Sequence, residues 1–183
     1  MSRVNRVIKT RDLAETALLV GIGFLLHAFF PAIVLGMKPD FSLAMLFIVL
    51  IVKRDFSLGL LAALATGIFT ALTSAFPGGQ YANLIDKLIT FLLVSALIRL
   101  ISDRLDERVA VGIITAIGTI ISGTVFLGSA ALIAGLPTSF KFLFYTVVLP
   151  AAAVNTVTAI IIYLAFSYSR KAIRIRSGKS EEA

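Results

Sequence analysis

Cysteine is absent from the 183 residues and histidine occurs once, at His27. The first absence excludes disulfides, thiolate metal sites and cysteine nucleophiles. The second leaves a zinc or haem site without its usual ligands. Charge is scarce as well: Asp, Glu, Lys and Arg make up 15% of the chain, where a soluble domain averages about 25%. No GxxxxGK(S/T) loop occurs, so the chain has no ATP-hydrolysing machinery of its own. HExxH, GxSxG and paired carboxylates at glycosidase spacing are missing too. The halves show no clear repeat, so an inverted-repeat transporter is not indicated. No catalytic residue, metal site or cofactor is expected.

What the chain does contain is apolar surface. Hydrophobic residues make up 58% and the mean hydropathy is +0.99. A core of this size has no room for that excess, because surface falls too slowly with chain length. Lipid is therefore the expected solvent. The net charge of +7 points to nucleic acid only when it forms a basic face on a soluble domain. Here Lys and Arg gather between and beyond apolar runs, so no nucleic-acid partner is expected. The N-terminus, with Arg3, Arg6, Lys9 and Arg11 ahead of an apolar run, resembles a signal peptide. The run is too long, no small-residue cleavage site is evident and more spans follow. It is expected to stay attached as the first helix.

A spanning helix needs about 20 mostly apolar residues. On that measure the chain reads as an all-α membrane protein, a single integral domain over 1–183 with six transmembrane helices. They are expected at 13–30, 39–52, 56–76, 82–102, 109–134 and 140–168, followed by a basic tail over 169–183. Pro39 suits the first position of helix 2, and Pro150 predicts a kink in helix 6. Orientation follows from the side on which Lys and Arg fall. With the N-terminus inside, the cytoplasmic clusters are Arg3, Arg6, Lys9 and Arg11; Lys53 and Arg54; Arg99, Arg104 and Arg108; and Arg170, Lys171, Arg174, Arg176 and Lys179. Of the 17 basic residues only Lys38, Lys87 and Lys141 then face outward. An odd number of spans would put one cluster on the wrong side, so both termini are expected in the cytoplasm of a multi-pass inner or plasma membrane protein.

Helix 3 carries small residues at every fourth position: Gly59, Ala63, Gly67, Ala71 and Ala75. Such a ridge lets helix backbones approach closely in lipid. Ala17 and Gly21 form a shorter version on helix 1, and helix 5 has Gly112, Ala116, Thr119 and Gly123. These ridges serve packing inside the bundle or docking of a partner membrane protein, and the residues do not choose between the two.

Two helices are too short for the bilayer unless charges enter it. Lys87 to Asp103 spans roughly 24 Å and Asp40 to Lys53 roughly 20 Å at the helical rise, against a hydrocarbon core of about 30 Å. Lys38, Asp40, Asp86 and Lys87 should therefore sit at depth, where charges are costly and usually functional. Beside longer helices 5 and 6 they would line a dent open to the outside, rimmed by the segment Phe76-Pro-Gly-Gly-Gln-Tyr-Ala-Asn83. Gly78 and Gly79 permit a tight turn, and Gln80 and Asn83 add donors and acceptors. Either the charges neutralise each other as interfacial pairs, Lys38 with Asp40 and Asp86 with Lys87, or they grip a zwitterion. Asn155 is the strongly polar side chain in the middle of helix 6, suited to an interhelical hydrogen bond or to a ligand. His27 is a packing histidine or a weaker ligand contact. Phe76 and Tyr81 flank the glycine turn and could stack on an aromatic ligand.

Gly36-Met-Lys-Pro-Asp40, Phe76-Pro-Gly-Gly-Gln80, Asn83-x-Ile-Asp-Lys87 and Pro150-Ala-Ala-Ala-Val-Asn155 together resemble the bacterial tryptophan transport protein family, TrpP. That family is in turn similar to the S components of energy-coupling factor transporters, small six-helix proteins that capture a nutrient from outside. The resemblance implies a transporter rather than an enzyme, with tryptophan or a related nutrient as substrate. It implies Lys38, Asp40, Gln80, Asn83, Asp86, Lys87 and Asn155 as substrate residues. It also implies a membrane coupling subunit with separate ATPases, docked on the helix 1 face of Ala17 and Gly21. Two alternatives stand beside this: an S component for a vitamin such as thiamine, riboflavin or biotin, and a membrane scaffold or oligomeric subunit assembled through the helix 3 ridge.

Overall fold

The computed structural model describes residues 8–101 and 104–181. Arg3, Arg6, Ser102 and Asp103 lie outside the described residues, as do the side chains of Arg174, Arg176 and Lys179. The described residues form six helical rods: α1 (Thr10–Phe29), α2 (Phe41–Lys53), α3 (Phe56–Leu72), α4 (Gly79–Ile101), α5 (Glu107–Ile133) and α6. The last runs without interruption through Phe140–Leu143, a π-helical turn at Phe144–Val148, and Leu149–Glu181. No strand occurs among the described residues; Val34 and Met37 form an isolated β-bridge.

Helix α2 is the axis of the bundle. Every residue from Phe41 to Ile51 is buried, and α1, α3, α4, α5 and α6 all pack on it. A helix that is apolar on every side is stable only when other elements surround it. Carboxylates and a hydroxyl start four of the rods. Asp40 accepts from Leu43 N at 3.2 Å, Asp55 from Leu58 N at 2.9 Å, Asp106 from Arg108 N at 2.9 Å and Ser139 from Phe142 N at 3.3 Å. Each satisfies a backbone donor left free in the first turn.

Several boundaries differ from the expected ones for local reasons. Because Asp40 is the cap, α2 begins at Phe41 and Pro39 stands outside the helix. Helix α3 stops at Leu72, where Thr73 Oγ1 folds back onto Phe69 O, so 73–76 join the turn to α4. Helix α4 starts at Gly79, ahead of Ala82. The disturbance expected at Pro150 is taken up as the π-helical turn just before it, which accommodates a proline that lacks an N–H and crowds the carbonyl four residues back. The backbone also stays helical beyond Tyr168, to Glu181, so the basic tail prolongs α6.

The surface is inverted relative to a soluble protein. Leu132 is 91% exposed while Asp86 and Lys87 are 0% and 1% exposed. Three helices, Thr10–Phe29, Glu107–Ile133 and Phe140–Ile173, are long and apolar enough to cross a membrane. Phe41–Lys53 and Phe56–Leu72 are shorter apolar helices. Helix α4 is long enough but carries Asp86, Lys87 and Arg99.

At one end of the bundle Lys53 reaches back to α1, 2.7 Å from Asp12 and also paired with Glu15. Arg170 of α6 lies 3.7 Å from Glu15. The start of α1, the end of α2 and the far part of α6 thus meet at that end.

Candidate functional site

A chain of buried ionic groups links α2 and α4 near the opposite end of the bundle. Lys87 Nζ lies 2.7 Å from Asp40 Oδ2 and donates to Asp86 Oδ2. Asp86 also accepts from Thr90 Oγ1 and from Ser122 Oγ, each at 2.8 Å. His27 Nδ1 sits 3.2 Å from Pro39 O and 3.6 Å from Asp40 Oδ1. A carbonyl can only accept, so Nδ1 carries the hydrogen in that contact. Two carboxylates therefore share one ammonium, and hydroxyls from α4 and α5 complete Asp86. Removing ions from water on this scale is tolerated only with such complete pairing. Of the two pairs suggested by chain proximity, Asp86–Lys87 forms, whereas Asp40 pairs with Lys87 and Lys38 Nζ donates to Phe30 O at 3.3 Å.

This array forms part of the wall of a cavity. The cavity lies among α1, α2, α4, α5 and α6 and the turns between them and opens at the bundle surface. The polar lining comprises His27, Lys38, Asp40, Thr73, Ser74, Asn83, Asp86, Lys87, Thr119, Ser122 and Asn155. The apolar lining includes Met37, Leu43, Phe76, Phe126, Val147 and Val148. Asn83 is tied down, its Nδ2 donating to Gly79 O at 2.8 Å and to Thr70 O at 3.3 Å. Asn155 is 0% exposed; its Nδ2 lies 3.4 Å from Thr119 Oγ1, and its Oδ1 has no hydrogen-bond partner among the described residues.

The cavity thus brings together Lys38, Asp40, Asn83, Asp86, Lys87 and Asn155, with His27 and Phe76 beside them. Gln80, Gly78, Gly79 and Tyr81 do not line it. Gln80 and Tyr81 sit on the exposed face of the first turn of α4, Tyr81 at 66% exposure. Gly78 has φ +67, and a Cβ there would come within 2.7 Å of Ala134 Cβ; the glycine turn is shaped to lie against the end of α5. The small residues of α3 face inward: a Cβ at Gly59 would meet Leu50 and Phe91, and one at Gly67 would touch Lys87. Ala63 and Ala71 are buried and Ala75 is exposed. On α1, Ala17 is exposed and nothing lies within 4 Å of a Cβ built on Gly21. Thr90, Ser122, Phe126, Val147 and Val148 were not singled out from the sequence. The hydroxyls had a readable signal: Thr115, Thr119 and Ser122 fall on one face of α5 at helical spacing.

Three relatives named "Probable tryptophan transport protein" are similar to the chain. The protein of Clostridium acetobutylicum is 42% identical over 163 residues, 89% of this chain and 95% of its own length. That of Clostridium perfringens is 42% identical over 163 residues, covering 84% and 90% of the two chains. That of Bacillus subtilis is 45% identical over 156 residues, covering 85% and 90%. No solved structure matches. The profile described as "Tryptophan transporter TrpP" matches residues 9–171, so these cavity-bearing helices belong to the TrpP family of tryptophan transporters, not to a family of enzymes.

Proposed function

We propose that the protein is a multi-pass transporter of the cell membrane that binds tryptophan in this cavity and takes it up from the extracellular side. The observation that carries the proposal is the Asp40–Lys87–Asp86 array opening onto a chamber walled by Phe76, Phe126 and Met37. Ionic groups of both signs suit the head of an amino acid, and the apolar aromatic wall suits an indole. Lys38, Asp40, Asn83, Asp86, Lys87 and Asn155 are the residues assigned to binding. The names of the family and of the relatives supply tryptophan as the solute.

The outward orientation rests on charge. Among the described residues, Lys9, Lys53, Arg54, Arg99 and Arg170 lie at the end opposite the cavity, and segments rich in Lys and Arg stay in the cytoplasm. The exposed Leu, Ile and Val of the outer faces then contact lipid. The resemblance to S components supplies the energy-coupling reading, in which a membrane subunit with separate ATPases would seat on the α1 face of Ala17 and Gly21.

The chain contains no tryptophan, so the fluorescence of added tryptophan is read without interference from protein indoles. Titration in detergent should show saturable binding with a blue-shifted emission, and tryptophan should raise the melting temperature. Stabilisation by thiamine, riboflavin or biotin with none by tryptophan would overturn the assignment.

A further inference from the structure

Five buried side-chain atoms lack a hydrogen-bond partner among the described residues: Thr16 Oγ1, Ser42 Oγ, Thr66 Oγ1, Thr115 Oγ1 and Asn155 Oδ1. Of these residues only Asn155 lines the cavity. Its amide is oriented by Thr119 on the nitrogen side, which leaves the oxygen as an acceptor with its hydrogen bond unmade. A buried amide oxygen in that state is costly unless a donor arrives.

The surroundings specify the donor. Thr119, which holds Asn155, stands about one helical turn from Ser122, which holds Asp86. In this layer Asp40 and Asp86 share the ammonium of Lys87, so two carboxylates stand beside Asn155 in the lining to meet an incoming positive charge. His27 contacts Asp40 through a nitrogen engaged with Pro39 O, and Lys38 is turned to Phe30 O. Phe76, Met37 and Val147 belong instead to an apolar cluster with Leu127, Ala130 and Leu143, against which Phe126 packs, toward the end where α3 turns into α4.

We infer that Asn155 Oδ1 accepts a hydrogen bond from the substrate's α-ammonium group, so that the head of the amino acid lies innermost and its ring lies among Phe76, Phe126 and Met37. This rests on the tryptophan assignment above and adds the direction of binding and a requirement for the amine. The site then selects amines over acids of the same ring.

The test uses the full-length protein in detergent and three probes: tryptophan, tryptamine, which lacks the carboxylate, and indole-3-propionate, which lacks the amine. The parent should prefer tryptamine to indole-3-propionate. Asn155→Leu should weaken tryptophan and tryptamine by roughly 10- to 100-fold, the loss of one hydrogen bond to a charged group, and abolish that preference. Asn155→Asp keeps an acceptor of the same shape and should bind both amines within a few-fold of the parent; it also carries the test should the leucine variant fail to fold. Tryptophan affinity unchanged in Asn155→Leu would overturn the inference while leaving the tryptophan assignment intact. So would an Asn155→Asp variant that loses tryptophan but keeps its fold, since that marks the amide as a donor to the carboxylate. A parent that binds none of the three probes would remove the tryptophan assignment and the inference together.

Discussion

Lys87 follows Asp86 directly in the chain, yet its partner of greatest consequence is Asp40, on another helix. Replacing Lys87 with Met would leave two carboxylates in a dry site without a cation. Breaking a buried ion pair from one side costs about 3–5 kcal/mol, so Lys87→Met should melt well below the parent in detergent. Asp86→Asn removes one charge of the three and retains an oxygen for Ser122 and Thr90. It should fold with a loss of about 1–2 kcal/mol, that of a weakened hydrogen-bond set, while tryptophan affinity falls at least tenfold. A Lys87→Met protein as stable as the parent would show that these groups are not the closed ionic array described. Helix lengths set against bilayer thickness singled out these charges in the sequence, and in the bundle Asp86 and Lys87 are enclosed by protein. Chain proximity gave the Asp86–Lys87 pair but not the Asp40–Lys87 contact, which depends on how α2 lies against α4.

At the level of elements, the central position of α2 explains features that periodicity left ambiguous. Helix 2 reads as one more short apolar run, whereas in the bundle it is enclosed by five neighbours. The glycines that matter for this enclosure are not those of the evident α3 ridge alone. Gly23 of α1 sits over Ser42 and Met45, and Gly118 of α5 sits over Phe47, where a Cβ would come within 2.6 Å of the ring. Phe47 is fully buried, so it has little room to yield. Gly118→Ala should cost about 1–3 kcal/mol through overpacking, and Phe47→Leu in the same chain should recover part of that loss. Melting curves of the two single variants and the double variant measure the coupling; strict additivity would show that the contact is slack. Single glycines facing an aromatic ring form no repeat, which is why pattern reading passes over them.

For the molecule as a whole, six helices were legible because apolar runs and turn residues alternate plainly, and the family resemblance lay in short motifs at the ends of those runs. The side from which the cavity opens is a separate matter, governed by charge. If Lys and Arg hold the α2–α3 and α4–α5 connections inside, the turns α1–α2, α3–α4 and α5–α6 face outward together with the cavity. The absence of cysteine makes this directly measurable, because any introduced thiol is the only one in the chain. Thr138→Cys, in the α5–α6 connection, should react with a membrane-impermeant maleimide on intact cells. Ser57→Cys, exposed at the start of α3, should react only after the cells are opened. Both variants should still bind tryptophan, which ties the labelling to the folded protein. The reverse pattern would turn the cavity toward the cytoplasm, where the same ionic array and aromatic wall would meet solute already inside the cell, and uptake from outside would no longer be the direction that the bundle supports.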